Sequence, residues 1–374
     1  MPRAKDNLQR KATYVEMKAM KAAALLIFVC VNLAASAEEG AAVDAEGNAE
    51  PQFPAHHQRD RIPPEIRGPL EGLVKVFGPR GLTSIANLTQ RRATLLSMIP
   101  PYSPSDKIIF ETRNIPGPEG APDIRINILR PASAGHDDIL PVIFQIHGGG
   151  MIMGSPEFQI KSMESYALAN NAVVVLTSYR LAPENPYPAG VTDCYTSLSY
   201  VAEHAEELRI DPTQIVLYGG SAGGNLVIAT ALKARDLGSP AIKFVMSLYP
   251  MIDDRHNTPS SHEITDLGLW DRATNIEAWQ LYLGDNVMAD QYAAPARAND
   301  LSGLPPMYID VGTLDVFRDE NIDFAQRLAH QGVPIEFHLF AGAYHASEVF
   351  APMAELSKRM IATRYAAMKR ALTK

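Results

Sequence analysis

Cysteine is nearly absent from this sequence, and its scarcity limits the chemistry that the chain can use. Among 374 residues there are two cysteines, Cys30 and Cys194. Cys30 falls within an N-terminal segment that has the features of a cleaved signal peptide, which leaves Cys194 without an intramolecular partner. The sequence therefore predicts neither an internal disulfide nor a thiolate metal cluster. Cys194 lies in a predicted helix, where a free cysteine is usually a small core residue.

An excess of positive charge and a long apolar run are also lacking. Lys and Arg number 34 against 42 Asp and Glu, for a net charge of −8, and the sequence shows no basic stripe. An acidic chain of this kind argues against a nucleic acid partner. The longest uninterrupted apolar stretch, residues 22–31, is too short for a helix that spans a membrane.

The N-terminal residues follow the order of a secretory signal peptide. Residues 1–21 are basic and polar, residues 22–31 are apolar, and Ala-Ser-Ala at 35–37 supplies the small residues of a cleavage site. We therefore expect residues 1–37 to be a signal peptide and the mature protein to be secreted or periplasmic, with no stable membrane span. An uncleaved membrane anchor is the main alternative. Cleavage would leave 28 basic and 40 acidic residues, a net charge of −12.

The remaining sequence predicts one large α/β domain, preceded by a leader and by helices. Residues 38–60 are rich in Ala, Glu, Gly and Pro and predict a flexible leader, and residues 61–100 predict helices that contribute to a cap. In residues 101–374, two half-buried antiparallel edge strands precede continuous apolar strands separated by helices, which indicates a mostly parallel sheet covered on both faces. Polar and helical sequence at about 253–299 predicts a cap insertion over the strand C-termini, where the sites of open α/β sheets lie. The large aromatic residues of this insertion are interpreted as core residues rather than substrate contacts: Trp270, Trp279 and Tyr282.

A glycine-rich turn stands out at residues 216–226, VLYGGSAGGNL, where Ser221 lies between an apolar strand pattern and a helical pattern. Glycine costs stability inside a regular element, so four glycines within six residues indicate a requirement of the backbone. The pattern is typical of the strained Gly-x-Ser-x-Gly turn of nucleophilic hydrolases, in which side chains at Gly219 and Gly223 would collide. A phosphate-binding loop or an ordinary turn is the alternative interpretation.

A second glycine loop lies upstream of this serine. His147 is followed by Gly148, Gly149 and Gly150 at the end of a buried strand pattern. Because such a loop has no side chains in the way, its backbone N–H groups can turn toward a developing oxyanion. A phosphate loop is again the alternative, but no Lys-Ser/Thr pair and no helix start follow the glycines. Ala222, at the start of the helix after the serine, supplies a further N–H.

A serine nucleophile needs a base, and the base needs an acid that orients it. Two candidates follow predicted strands: Asp315 comes after MYIDV, and His345 comes after IEFHLF. With Ser221 they give the chain order Ser, Asp, His that belongs to hydrolases with this turn. The rival candidates are two residues within strands, a predicted helix N-cap and an exposed helix end: Asp310, His338, Asp319 and His330.

Together with further segments, these motifs make the chain resemble the hormone-sensitive-lipase-like carboxylesterases of the α/β-hydrolase fold over roughly residues 80–370. The further segments are YRLAPE at 179–184, LSGLPPMYIDVGTLDVFRDEN at 301–321 and AGAYH at 341–345. The first of them is interpreted as bracing the upstream glycine loop rather than as catalytic. The resemblance implies an α/β-hydrolase fold with a helical cap.

Carried over residue by residue, the resemblance implies that Ser221 is the nucleophile, Asp315 the acid and His345 the base. The oxyanion donors that it implies are backbone N–H groups of the two glycine-rich turns: Gly148, Gly149 and Ala222. The chain departs from the family at two places. Gly220 stands where Asp or Thr usually precedes the serine, and Ala-Ser at 346–347 stands where Gly-Phe often follows the histidine.

The function implied by the resemblance is hydrolysis of small carboxylic esters with short to medium acyl groups through an acyl-enzyme, without a metal or organic cofactor. The sequence leaves open a homodimer as an alternative to a monomer. Two other functions are kept as alternatives. One is another acyl hydrolase with the same triad, such as a lactonase, an amidase or a carbohydrate acetylesterase. The other is a non-catalytic binder, as in the plant gibberellin receptor, which has lost the histidine that this chain retains at 345.

Overall fold

The computed structural model describes residues 55–77, 87–135, 137–285 and 288–373. The predicted signal peptide and most of the predicted leader lie outside these residues. Helix α1 (Ala55–Asp60) occupies the end of the predicted leader, so helical structure begins earlier than the sequence pattern indicated. Within the described ranges, every helix is too short or too polar to cross a membrane.

In the part of the chain that the structure describes, an eight-stranded sheet forms the centre of the fold, with the strand order β1-β2-β4-β3-β5-β6-β7-β8. The pairs β1–β2 and β2–β4 are antiparallel, and the remaining pairs are parallel. This arrangement confirms the predicted mostly parallel sheet. The strands are β1 (Ile108–Ile115), β2 (Ile124–Pro131), β3 (Leu140–Ile146), β4 (Val173–Thr177), β5 (Ile210–Gly220), β6 (Phe244–Leu248), β7 (Met307–Leu314) and β8 (Ile335–Tyr344).

Helices cover both faces of this sheet, and alternate residues of its strands face two different cores. On β3, for example, Phe144 belongs to one buried apolar cluster and Ile143 to the other, as expected for a strand buried on both faces. After α1 the helices are α2 (Pro64–Phe77), α3 (Leu88–Ser97), α4 (Ile160–Asn170), α5 (Ala189–Glu203), α6 (Ala205–Leu208), α7 (Ala222–Leu237), α8 (Pro259–Glu263), α9 (Arg272–Leu283), α10 (Arg318–His330), α11 (Ser347–Phe350) and α12 (Glu355–Leu372).

The prediction of two half-buried edge strands is correct for β1 and wrong for β2. Strand β1 lies at the sheet edge; its two end residues, Ile108 and Ile115, are buried, and the residues between them are exposed or half-buried. Strand β2 is paired on both sides, and nearly all of its residues are buried because α4 and α5 pack against it. The buried arginine of this strand, Arg130, is accommodated because its guanidinium donates to backbone carbonyls, including that of Asp138 at 2.7 Å.

The segment between β6 and β7 includes the residues expected to form an insertion, about 253–299, and contains α8 and α9. The N-terminal helical part of the chain contacts it directly. The Nε of Arg59 donates to the carbonyl of Leu267 at 3.3 Å, and the guanidinium of Arg61 forms an ion pair with Glu263. Two separate stretches of chain therefore meet above the C-terminal ends of the parallel strands, which is the edge of the sheet where the candidate site lies.

Candidate active site

Ser221 lies on the sharp turn that joins β5 to α7. It has φ +58° and ψ −123°, a conformation that a residue with a side chain adopts only under strain. The turn is tight enough that a Cβ atom at Gly219 would lie 2.3 Å from the carbonyl oxygen of Gly223. The predicted collision across the turn is therefore confirmed for Gly219. A Cβ atom at Gly223 would instead lie 2.2 Å from the carbonyl oxygen of Ile146, at the end of β3, so this position is glycine because the neighbouring strand passes close to it.

The structure brings Ser221, His345 and Asp315 together in one hydrogen-bonded line. The Nε2 of His345 lies 3.0 Å from the Oγ of Ser221, and the Nδ1 of His345 lies 2.9 Å from Oδ2 of Asp315. The other oxygen of Asp315 accepts from the N–H of Phe317 at 3.0 Å, which fixes the carboxylate. All three side chains are buried, with Ser221 8% exposed. Three residues far apart in sequence thus have the mutual geometry of a nucleophile, a base and an orienting acid.

The rival candidates lie in other hydrogen-bond networks. Asp310 is buried in a pair with Arg364, and His338 pairs with Glu336 on the surface. Asp319 was expected at a helix N-cap, but it lies inside the first turn of α10 and accepts from the N–H of Ser260. The N-cap is Phe317, two residues earlier than expected, so the Asp319 carboxylate supports the segment that contains Ser260 instead of its own helix end.

The upstream glycine loop passes directly beside the serine turn. A Cβ atom at Gly148 would lie 2.6 Å from the carbonyl oxygen of Gly220 and 3.4 Å from the Cβ of Ser221, so only glycine allows this approach. Within the described part of the chain, the N–H groups of Gly148 and Gly149 make no hydrogen bond. Ala222 is the first residue of α7, where the N–H has no intrahelical acceptor. Three N–H donors thus remain available beside the serine.

His147 and Tyr179 brace this loop from behind. Their rings stack with centroids 4.2 Å apart, and the hydroxyl of Tyr179 donates to the carbonyl of His147 at 3.1 Å. Burial lowers the pKa of His147 to about 4, so its imidazole is neutral near pH 7 and packs as an uncharged ring. Arg180 forms two bonds with Asp193 of α5 instead of contacting the glycines. The bracing interpreted from the YRLAPE segment is therefore made by Tyr179.

Aromatic rings that the sequence analysis did not assign to the site surround the histidine. The rings of Phe317 and Tyr249 contact His345 edge-to-face, with centroids 5.1 and 4.9 Å away, and Trp270 is 6.2 Å away. Trp270 also lies against the loop, since a Cβ atom at Gly150 would be 2.3 Å from its ring. Its interpretation as a core residue alone was incomplete.

The position of one of these rings, that of Tyr249, could have been predicted from the sequence. Tyr249 directly follows β6, and the C-terminal ends of neighbouring parallel strands lie at the same edge of a sheet. Trp279 and Tyr282, in contrast, pack against each other with ring centroids 5.8 Å apart. Both are almost fully buried, in agreement with their interpretation as core residues.

A serine on a strand-to-helix turn, with an Asp–His pair at the same sheet edge and a glycine loop beside it, defines the class of α/β hydrolases. The chain belongs to the alpha/beta hydrolase fold family, whose model matches residues 143–349.

Comparisons with individual proteins agree with this class. Carboxylesterase NlhH of Mycobacterium tuberculosis is 34% identical to this chain over 314 residues, which are 83% of this chain and 97% of that protein. Esterase LipI of the same species is 36% identical over 226 residues, which are 60% of this chain and 70% of that protein. A solved structure of a bacterial heroin esterase superposes with a TM-score of 0.79 and 36% identity, over 84% of this chain and 99% of that chain. The predicted resemblance to hormone-sensitive-lipase-like esterases is confirmed.

Proposed function

We propose that this protein is a serine carboxylesterase that hydrolyses esters with short to medium acyl groups through an acyl-enzyme. The observation that carries the proposal is the line of hydrogen bonds from Ser221 through His345 to Asp315, at 3.0 and 2.9 Å, beside a loop with unpaired N–H groups. Esterases among the relatives support the reaction class. The acyl preference rests on the motif resemblance.

In the first half-reaction, Oγ of Ser221 attacks the ester carbonyl carbon while its proton passes to Nε2 of His345. Asp315 accepts the Nδ1–H of the imidazole, which keeps Nε2 free as the base and stabilises the imidazolium that forms. The carbonyl oxygen becomes an oxyanion, which the N–H groups at positions 148, 149 and 222 receive. Cleavage of the C–O bond then releases the alcohol, which takes the proton from Nε2 and leaves the acyl group on Oγ.

In the second half-reaction, water replaces the alcohol. Nε2 of His345 takes a proton from water as the water oxygen attacks the acyl carbon, and the same N–H groups receive the second oxyanion. The bond between the acyl carbon and Oγ of Ser221 then breaks, Oγ regains the proton, and the carboxylic acid leaves. Every proton transfer uses one imidazole, so the reaction needs only the side chains already in contact.

The experiment that tests this proposal is hydrolysis of a series of p-nitrophenyl esters by the purified protein. We expect a stoichiometric burst of p-nitrophenolate followed by slower turnover, as deacylation through water follows acylation. Acetate and butyrate esters should react faster than palmitate. An organophosphonate should inactivate the protein and leave its adduct on the peptide that contains Ser221. A protein that binds esters without a burst or an adduct would be a binding member of the fold, and a protein that cleaves only lactones, amides or acetylated sugars would be another acyl hydrolase.

We also propose that the protein is exported, because the charged, apolar and small-residue segments at 1–37 have the order of a signal peptide. Expression of the full chain in a Gram-negative host should give periplasmic or extracellular protein whose N-terminus is Glu38. The N-terminal sequence of the recovered protein is the measurement. Recovery in the membrane fraction with residues 1–37 still attached would indicate an uncleaved anchor instead.

A further inference from the structure

The residue before the serine has no side chain, and a tyrosine ring occupies the adjacent space. A Cβ atom at Gly220 would lie 3.3 Å from Cε2 and 3.5 Å from the hydroxyl oxygen of Tyr249. Tyr249 is itself held in an unusual backbone conformation, with φ +35°, and its N–H donates to the carbonyl of Asp310 at 2.6 Å. A bulky residue with positive φ persists only where its surroundings impose it.

The Tyr249 ring connects this position to the histidine. Its contact with His345 is edge-to-face, with an interplanar angle of 70°. Phe317 also contacts the imidazole edge-to-face, at an angle of 81°. Hydrogen bonds to Ser221 and Asp315 hold the two nitrogens of the imidazole, but they allow the ring to tilt about the line that joins them. The two aromatic contacts restrict this remaining tilt, and both rings are buried.

A buried carboxylate fixes the tyrosine ring in turn. The hydroxyl of Tyr249 donates to Oε1 of Glu348 at 2.7 Å, and the same oxygen accepts from Nη1 of Arg364 at 2.6 Å. Arg364 also binds Asp310 through its Nε and Nη2, at 2.6 and 3.1 Å. Glu348, Arg364 and Asp310 are each 5% exposed or less. Glu348 lies on α11, three residues after His345, so one short segment supplies both the imidazole and the anchor of the ring beside it.

The protonation states of these groups favour this arrangement. Burial raises the pKa of Tyr249 well above its ordinary value, so its hydroxyl keeps the proton that it donates. Burial alone would raise the pKa of Glu348, but the charge and hydrogen bond of Arg364 outweigh it and lower that pKa. An ionised acceptor and a neutral donor form a charge-assisted hydrogen bond, which is shorter and stronger than one between neutral groups.

We propose that Glu348 is a positioning residue of the esterase site, holding the Tyr249 ring against His345 and supplying a carboxylate that a side chain at position 220 could otherwise provide. The proposal rests on the proposed function, since it assigns a role toward the base of that reaction. The carboxylate of an aspartate at position 220 would lie within reach of the Tyr249 hydroxyl, because the Cβ atom there is already 3.5 Å from it. Gly220 ends β5, a strand conformation that aspartate can adopt.

The first test compares variants of the two positions in hydrolysis of p-nitrophenyl acetate. Glu348→Ala should lower kcat by about tenfold or more with little change in KM, because a displaced base slows chemistry without altering ester binding. Gly220→Asp alone should also lower kcat, because it crowds the ring and places a second negative charge beside Glu348. The double variant Gly220→Asp/Glu348→Ala should recover activity above the Glu348→Ala level. In this double variant, the aspartate at position 220 would replace Glu348 as the acceptor of the Tyr249 hydroxyl. If Glu348 had only a structural role, this replacement would not restore activity.

A second comparison removes one tyrosine hydroxyl at a time. Tyr249→Phe keeps the ring but loses its anchor and should reduce kcat several-fold by the same reasoning. Tyr102→Phe is the matched control, since the Tyr102 hydroxyl likewise donates to a glutamate carboxylate, Oε2 of Glu164 on α4, at 2.9 Å; its kcat should equal that of the unmodified protein. If Glu348→Ala does not fold, the comparison of Tyr249→Phe with its control still tests the proposal.

Two outcomes would overturn the proposal. One is equal kcat for Tyr249→Phe and Tyr102→Phe, and the other is a folded double variant no more active than Glu348→Ala. Either result leaves the proposed function intact as long as the unmodified protein hydrolyses the ester and Ser221→Ala does not. Absence of hydrolysis by the unmodified protein would instead remove the function on which the proposal rests.

Discussion

Ser221→Ala is expected to reduce kcat for p-nitrophenyl acetate by about 10⁶-fold, the order of loss found when the nucleophilic serine of a catalytic triad is removed. Without Oγ no acyl-enzyme forms, and the N–H groups at 148, 149 and 222 can assist only a slow direct attack by water. The burst of p-nitrophenolate and the organophosphonate adduct should disappear with the turnover. The measurement is pre-steady-state release of p-nitrophenolate at equal concentrations of folded protein.

The control for this loss is Ser357→Ala, which removes another buried serine hydroxyl, on α12 outside the site. We expect its kcat to match that of the unmodified protein. Both variants should keep their fold, because removal of a small hydroxyl usually changes the free energy of unfolding by about 1 kcal/mol or less. Ordinary ester turnover by Ser221→Ala would refute the assignment of this residue as the nucleophile.

Asp315→Asn is expected to reduce kcat by roughly 10⁴-fold, the effect of the same change in serine hydrolases that share this geometry. The asparagine Oδ1 can still accept from the N–H of Phe317, as the carboxylate does at 3.0 Å. Its amide then faces Nδ1 of His345 as a donor. This favours the tautomer with the proton on Nε2, which cannot accept a proton from Ser221. The fold and the distances among the three side chains should stay nearly unchanged, while His345 can no longer act as the base. Ester turnover measures the loss of activity, and a thermal unfolding curve measures the stability of the variant.

Asp319→Asn provides the comparison for this variant, because Asp319 lies four residues further along the same segment and binds Arg318 and Ser260 instead of the histidine. Its activity should stay within a few-fold of the unmodified protein. A strong loss in Asp319→Asn combined with normal activity in Asp315→Asn would move the role of the acid to the other carboxylate.

The features of this site that depend on local sequence could be predicted, because each has a steric or periodic signature. Apolar runs such as that of β5 signal a buried strand, and the glycines around Ser221 signal a turn with no room for side chains. The placement of Asp315 and His345 followed from topology, since both residues come directly after parallel strands. Strand β2 was misjudged because its burial depends on α4 and α5, which occur later in the chain.

The contacts that depend on long-range packing could not be predicted. Nothing in the local sequence around Glu348 indicates that its carboxylate meets Tyr249, a residue 99 positions earlier, or that Arg364 lies beneath both. A buried ion pair requires partners from separate elements, and pattern alone does not give their geometry. The departure at Gly220 was visible in the sequence, but its consequence depends on which ring occupies the adjacent space.

Helix α1 and the residues after it contact the β6–β7 segment. These contacts affect which parts of the protein can change in sequence without loss of the catalytic groups. The groups that would carry out bond cleavage are positioned by the sheet and its turns. The two stretches that meet beside them are held together partly by surface contacts, such as the ion pair of Arg61 with Glu263. Contacts of this kind contribute little to stability. Exchange of surface residues in these two stretches can therefore change the surroundings of the site while the groups set by the sheet stay in place. Trp270 is the exception, because it lies against both the glycine loop and His345.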